Sequence, residues 1–300
     1  MKNYILTIGI FLFLISCGKN EKPIEPEKVL DTIVIHSKEI KETETLIFSG
    51  LDNREYSEEL DLRLLSKVAT NLKIKYEDIN IDKTSSISYN DKISFFVITY
   101  LAEKAKERDE ESGNYFQIKY LFVNKIDGKI IDQDLDKNLS YEDIKAVQPS
   151  KTYIFKNLIQ LNKTTNGIAL YTEFSSSSRI SLWSDQKFTM IVLVGNKIKK
   201  ILYDYPIRKT QGESNGGGSF QMEVLETAIS VSNKKTNGFF DLNVVKTFSY
   251  EEEVEEDLEK GIKGKVAPIK IKKESERIQY NGQIYSFKKD DKYRFLTDYN

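Results

Sequence analysis

Residues with strong catalytic or metal-binding chemistry are scarce in this chain of 300 residues, which has one histidine, His36, and one cysteine, Cys17. A single histidine excludes paired-histidine zinc motifs, and a single cysteine excludes an internal disulfide bond and a multi-cysteine metal site. The sequence contains no Gly-x-Ser-x-Gly elbow, no His-Glu-x-x-His and no Walker loop. We therefore assign no catalytic, cofactor-binding or metal-binding residue from the sequence.

Two residue runs have the composition of a phosphate-binding or cation-binding site, but the residues around them do not favour such a site. A phosphate-binding glycine loop is followed directly by a helix, whereas Gly216–Gly218 is followed by the strand-like segment Phe220–Val224. The segment Glu251–Glu259 holds seven acids in nine residues, and like charges at this density repel each other and favour a solvated segment. We interpret the glycine run as a surface loop and residues 251–265 as an acidic insertion between two strands.

The composition indicates a folded protein that does not bind nucleic acid. The chain has 45 Lys and Arg against 46 Asp and Glu, whereas nucleic-acid-binding domains normally have a basic excess. Hydrophobic residues make up 39% and aromatic residues 11% of the chain, which is enough to build a core.

The N-terminus has the pattern of a secretory signal. Met1–Asn3 carries one positive charge, and the apolar run Tyr4–Ile15 follows, which is shorter than the about 20 residues that span a bilayer. The next residues complete the sequence Leu14-Ile15-Ser16-Cys17, which resembles the lipobox of bacterial lipoproteins. This resemblance implies that residues 1–16 are a cleaved signal peptide and that Cys17 is acylated and anchors the chain to a membrane.

The residues after Cys17 predict a tether and a destination. Residues 17–30 are mostly polar and include two prolines, which is typical of an extended linker. In lipoproteins of Gram-negative bacteria, an aspartate directly after the cysteine favours the inner membrane, and this chain has Gly18 there. By this similarity we expect an outer-membrane lipoprotein, at the periplasmic face or the cell surface.

Short runs of Ile, Val, Phe, Tyr and Leu, broken by turn residues, dominate the rest of the chain and predict strands, the last of them Tyr293–Leu296. Two-residue turns at Asp127-Gly128, Gly195-Asn196 and Asn281-Gly282 predict antiparallel hairpins. We therefore predict one all-β domain of antiparallel meanders and hairpins over residues 31–300. Leucines at helical spacing predict one short helix near residues 58–72, although part of this segment also alternates like a strand.

Three successive meanders predict a propeller-like arrangement, and a β-sandwich is the alternative. The segments Thr236–Leu242 and Tyr280–Tyr285 are similar to the FG-GAP-like repeats of β-propellers and of flavobacterial-type lipoproteins. That resemblance implies a calcium loop with ligands at positions 233, 235, 237 and 241. Lys235 occupies one of them, and an ammonium group cannot bind calcium, so we expect a turn without metal.

We predict a non-catalytic binding or scaffolding role for an unknown protein or glycan ligand. Trp183, the only tryptophan, lies in a loop-like segment and is a candidate ligand contact, with a buried strand anchor as the alternative. An envelope hydrolase acting on glycan or peptide would need a cleft with convergent acids, so the question of catalysis stays open. An immunity or inhibitor lipoprotein, the third hypothesis, would need a strongly charged face.

Overall fold

The computed structural model describes residues 45–48, 55–57, 60–106, 113–256, 263–290 and 292–299. The predicted signal peptide, the tether, Cys17 and His36 lie outside these residues. The helix is α1 (Leu62–Leu72), and 3₁₀ turns are formed by Tyr76–Asp78 and Thr297–Tyr299. The first strands are β1 (Thr45–Phe48), β2 (Ser85–Ser88), β3 (Ile93–Glu103), β4 (Tyr115–Asn124), β5 (Ile130–Glu142), β6 (Pro149–Ile154), β7 (Ile159–Gln160) and β8 (Asn166–Ser175). The later strands are β9 (Ser184–Val194), β10 (Lys197–Ser214), β11 (Phe220–Thr236), β12 (Phe239–Val254), β13 (Lys265–Val266), β14 (Lys270–Tyr280) and β15 (Tyr285–Ser286).

Helix α1 confirms the helix predicted near residues 58–72. Asp61 caps its N-terminus, because the Asp61 carboxylate accepts a hydrogen bond from the backbone N–H of Leu64 at 2.9 Å. Lys73 ends the helix in the left-handed conformation, with φ of 58°. The buried apolar face of α1 consists of Leu64, Leu65, Val68 and Ala69, whereas Leu62, which also fits the strand reading, is 50% exposed.

A small sheet has the strand order β2-β3-β4-β5 and is covered on both faces. Phe96 and Ile98 of β3 pack with α1. Phe95 and Val97 alternate with them and pack against the large sheet, in a core that includes Ile168 and Ile191. The continuous apolar run of β3 therefore follows from its place in the middle layer.

A large sheet has the order β15-β14-β12-β11-β10-β9-β8-β6, and β1, β7 and β13 pair at its sides. Its hairpins use tight turns in the left-handed region, with φ of 60° at Asn196 and 48° at Asn237. The backbone N–H of Phe240, at the start of β12, donates to the carbonyl of Leu161, just after β7, at 2.9 Å. Because β8 to β11 lie between these two points in the strand order, the sheet must curl strongly.

The structure confirms the all-β class, since the strands in the described ranges pair antiparallel, and two packed sheets fit the sandwich alternative. Separate propeller blades are not seen there, because β8 to β12 and β14, which the meander pattern divided between two repeats, continue one sheet. Glu251–Val254 of the predicted acidic insertion form the end of β12, where Glu253 and Val254 pair with β13. Tyr293–Leu296 was wrongly predicted as a strand. The backbone N–H groups of Phe295 and Leu296 bond to the Glu223 side chain instead of to a neighbouring strand.

Candidate functional site

The segment Glu55–Ser57 lies along the edge of β6 and separates two open grooves. The Ser57 N–H donates to the Ile154 carbonyl at 2.8 Å, and the Lys156 N–H donates to the Glu55 carbonyl at 2.9 Å. Tyr56 forms an antiparallel bridge with Phe155 between these bonds. Glu55 therefore borders both grooves and is fixed by its backbone.

The first groove, which we call the serine groove, has a volume of 1090 Å³ and runs beside the edge strand β2. It combines serine hydroxyl groups with charged side chains of both signs. Its lining consists of Glu55, Tyr56, Ser57, Leu60, Asp61, Ser86, Ile87, Ser88, Ser94, Lys125 and Lys156. The Lys125 Nζ donates to the Ser88 Oγ at 2.6 Å, and the Ser57 Oγ donates to the Ser86 carbonyl at 2.7 Å.

The second groove, which we call the β1–β7 groove, has a volume of 670 Å³. One wall is β1, the other is the segment from Phe155 to Gln160, and the floor comes from β11 and Phe240. Its lining mixes apolar side chains with amides and hydroxyl groups: Thr45, Leu46, Ile47, Phe48, Glu55, Phe155, Asn157, Leu158, Ile159, Gln160, Val231, Ser232, Asn233 and Phe240. This volume lies within the range of about 300–1,000 Å³ found for small-ligand pockets.

Aromatic side chains form a rigid base between the two grooves. The Phe155 ring stacks on Phe48 with ring centroids 5.4 Å apart, and it contacts Tyr56 at 5.7 Å. Tyr56 also contacts Tyr153 at 5.3 Å and Tyr171 at 5.5 Å. Each such ring pair adds about 0.5–1.5 kcal/mol beyond its buried area, so both grooves lie on a well-packed support.

Among the described lining residues of the two grooves, the acids do not converge. The Asp61 carboxylate caps α1, and the Glu55 carboxylate forms an ion pair with Lys156 at 3.4 Å, in which both side chains are mostly exposed. Within the described ranges, no group of three or more His, Cys, Asp or Glu side chains is placed to hold a metal ion. The carboxylates of Glu55 and Asp61 are therefore each engaged by a separate partner.

A buried polar cluster joins the two sheets at a bulge in each of them. Asp136, at a bulge of β5, is 1% exposed and accepts hydrogen bonds from Lys200 and Tyr203 of β10, both at 3.0 Å. The backbone N–H groups of Asn138 and Leu139 donate to the same carboxylate at 3.1 and 3.3 Å. Burial, and then the charge of Asp136, raise the pKa of Tyr203. Both carboxylate oxygens of Asp136 accept hydrogen bonds. We therefore interpret this Asp136 cluster as a structural contact that holds the two sheets together.

The structure places Trp183 half-buried just before β9 and in the lining of neither groove, so its ligand contact stays a prediction. The FG-GAP-like segment forms the predicted turn: Asn237 and Gly238 connect β11 to β12. The Lys235 ammonium lies over the Phe240 ring, 4.3 Å from its centroid. The two grooves were not predicted from the sequence. The short apolar run of β1 was the only sequence pattern that could have indicated a strand beside one of them.

The fold and the grooves together define an antiparallel all-β protein with two open grooves of mixed polarity. A scan against protein-family models, a search of curated proteins and a search of solved structures each found no match to this chain. Within the part of the chain that the structure describes, no helix combines the length and the apolar character needed to cross a membrane.

Proposed function

We propose that this chain is a lipoprotein of the bacterial outer membrane, anchored through acyl chains on Cys17, whose β-rich part binds a ligand without catalysis. The anchor is supported by the sequence alone, through the lipobox-like residues Leu14–Cys17. Two or more acyl chains hold a protein stably at a bilayer, with about 0.8 kcal/mol contributed by each buried methylene. The ligand reaches the protein at the periplasmic face or at the cell surface.

The observation that carries the binding role is the pair of open grooves on either side of Glu55–Ser57. They have volumes of 1090 and 670 Å³ and lie beside the edge strands β2, β1 and β7. Exposed strand edges offer backbone donors and acceptors, which favour a protein segment over a glycan as the ligand. Among the described acids of the grooves, Glu55 pairs with Lys156 and Asp61 caps α1, and these engagements also favour binding over hydrolysis.

Site-specific photo-crosslinking in cells tests this role. A benzophenone amino acid replaces the exposed residue Asn157 in the β1–β7 groove or Ser88 in the serine groove, with Ile126, which is 79% exposed and lines neither groove, as the control. We expect discrete adducts from one or both groove positions and none from position 126. Equal adduct patterns from all three positions, or none from the groove positions, would contradict the proposal.

The anchor is tested separately. We expect Cys17→Ala to move the chain from the detergent phase to the aqueous phase in a detergent partition. The matched variant Ser16→Ala leaves the cysteine in place and should leave the chain in the detergent phase. Retention of Cys17→Ala in the detergent phase would refute lipidation.

One contact supports the hydrolase as a second candidate. The Ser88 Oγ lies 2.6 Å from the Lys125 Nζ in the serine groove, within the reach of a serine–lysine nucleophile pair. In such chemistry the unprotonated amine accepts the serine proton. A fluorophosphonate probe would then label Ser88, and labelling would be lost in Ser88→Ala and Lys125→Met but kept in Ser94→Ala. Absence of labelling removes this candidate.

A further inference from the structure

The β1–β7 groove lies between two strands that each have one partner among the described strands. β1 pairs with β11, through Thr45 opposite Val231 and Leu46 opposite Ser230. β7 pairs with β8, through Ile159 opposite Gly167. Thr45–Ile47 of β1 and both residues of β7 also line the groove. A strand with one neighbour presents alternate N–H and C=O groups along its other edge.

The groove is closed at one end by bonds that hold the curled sheet together. The Phe240 N–H donates to the Leu161 carbonyl at 2.9 Å, and the Asn162 side-chain amide donates to the Gly238 carbonyl at 3.4 Å. The opening is therefore a bounded gap in the sheet. An added strand would continue the existing β11–β1 and β8–β7 ladders from both sides.

The side chains around this gap suit a peptide with alternating character. Phe155, Ile159 and Val231 are buried in the core of the large sheet and provide an apolar base. Asn157 and Gln160 are exposed and provide a polar rim. Since successive side chains of a strand point to opposite faces, apolar residues at every second position would meet the base.

Charge favours a basic residue at one end of the peptide. Glu55 is the one charged residue among the described residues that line the β1–β7 groove. Its ion pair with Lys156 is 3.4 Å long and mostly exposed, with side-chain exposures of 68% and 64%. Exposed pairs of this kind contribute little, so the carboxylate can exchange Lys156 for a lysine or arginine of a ligand.

We propose that the β1–β7 groove binds an extended peptide segment of a partner protein as an added strand between β1 and β7. The segment has apolar side chains at alternate positions and a basic residue near Glu55. This inference rests on the proposed binding function and names its ligand class.

A seven-residue peptide library selected on the full chain tests the proposal. Each selected peptide is then synthesised, and its affinity is measured by fluorescence anisotropy against the unaltered chain and against Leu46→Asp, Gln160→Asp and Glu55→Gln. Leu46 and Gln160 are exposed groove residues, so these variants are expected to fold, which a thermal melt verifies. Ser88→Ala tests the serine groove, and Ile126→Glu, at a position that is 79% exposed and lines neither groove, is the control for an added charge and should leave the affinity unchanged.

We expect alternating apolar sequences with one terminal lysine or arginine, and affinities at least tenfold weaker for the two aspartate variants but unchanged for Ser88→Ala. Glu55→Gln should weaken only peptides that carry the basic residue. Methylation of alternate peptide amides, in either register, should weaken binding, because a strand between two neighbours uses all of its N–H groups.

Several outcomes overturn the inference. Insensitivity to amide methylation in one or both registers would exclude a strand held on two sides. If the selected peptides bind Ser88→Ala more weakly but bind Leu46→Asp as tightly as the unaltered chain, strand addition in the β1–β7 groove is overturned. The proposed binding function would then stay intact. Equal competition by a peptide of residues 31–44, or a dimer in sedimentation that the library peptides dissociate, would assign the groove to the chain itself. Failure of the proposed function would appear independently, as absent groove-specific crosslinks.

Discussion

The carboxylate of Glu223 accepts a hydrogen bond from the backbone N–H of Arg294 at 2.7 Å. The same carboxylate, which is completely buried on β11, accepts the N–H groups of Phe295 and Leu296 at 2.8 and 2.9 Å. One acidic side chain thus fastens the C-terminal segment to the large sheet.

Replacing Glu223 should destabilise the fold strongly. Glu223→Ala leaves three backbone N–H groups without their acceptor, and each unsatisfied buried group costs about 1–3 kcal/mol. We expect the free energy of unfolding in urea to fall by about 3 kcal/mol or more. Glu253→Ala, at an exposed position on the neighbouring strand β12, should change it by less than about 0.5 kcal/mol. Equal effects of the two variants would contradict this role.

The same C-terminal segment should make stability depend on acid pH. The Arg294 guanidinium donates to Glu274 at 2.7 and 2.8 Å and lowers the pKa of that carboxyl to about 2, while burial opposes the shift. A carboxyl with a depressed pKa stabilises the fold above its unfolded pKa, near 4.5, and loses this contribution as the pH falls through about 2.

We therefore expect unfolding free energy to decline from about pH 5 towards pH 2, and Glu274→Gln to flatten that decline. The expected contribution is about 1–2 kcal/mol after solvent screening, since Glu274 keeps 32% of its side-chain surface exposed. Urea titrations at several pH values measure it. A decline of the same steepness in Glu274→Gln would assign the pH dependence to other groups.

The Asp136 cluster gives a matched pair of substitutions on one strand. Lys200 contacts Asp136 at 3.0 Å and Asp134 at 2.9 Å, but Asp136 is 1% exposed and Asp134 is 43% exposed. Asp136→Ala takes the acceptor from the Tyr203 phenol and from the Leu139 N–H group and leaves Lys200 with Asp134 alone, so it should cost about 2–4 kcal/mol. Asp134→Ala should cost less than about 1 kcal/mol. Similar losses of unfolding free energy for the two variants in chemical denaturation would show that Asp136 does not hold the two sheets together.

Two turn glycines should differ in their tolerance of alanine. Gly128 has φ of 69°, and a Cβ added there would lie 2.7 Å from the Cβ of Lys67 on α1. Gly195 has φ of 56°, with no atom within 4 Å of such a Cβ. Gly195→Ala should cost about 1–2 kcal/mol for the left-handed backbone alone, whereas Gly128→Ala should also displace the helix and cost about 2–4 kcal/mol. Equal melting temperatures for the two variants would contradict this close approach.

The sequence predicted the strands and the helix that are determined by residues close to one another in the chain. Phe116, Ile118, Tyr120 and Phe122 alternate within Tyr115–Asn124, which forms β4 with the predicted bounds, and the leucine spacing correctly predicts α1. Tyr293–Leu296 has the composition of a strand, yet its N–H groups bond to Glu223, some 70 residues away, instead of to a neighbouring strand.

The candidate site could not be predicted because it depends on contacts between residues that are far apart in the sequence. β1 and β7 have four and two residues, too few for a periodic pattern to stand out. The groove between them exists because the large sheet curls until Phe240 reaches Leu161, and this curl follows from the bulges and twist of the intervening strands.

Amide hydrogen exchange on the full chain, with and without a peptide selected for the β1–β7 groove, tests the central claim most directly. Strand addition predicts that the groove-facing amides of Thr45–Ile47 and Ile159–Gln160, those not already bonded to β11 or β8, exchange about tenfold more slowly with the peptide bound, because new backbone hydrogen bonds protect them. The edge strand β2 in the serine groove should keep its rate. Protection of β2 alone, or unchanged exchange in β1 and β7 at saturating peptide, would contradict the claim.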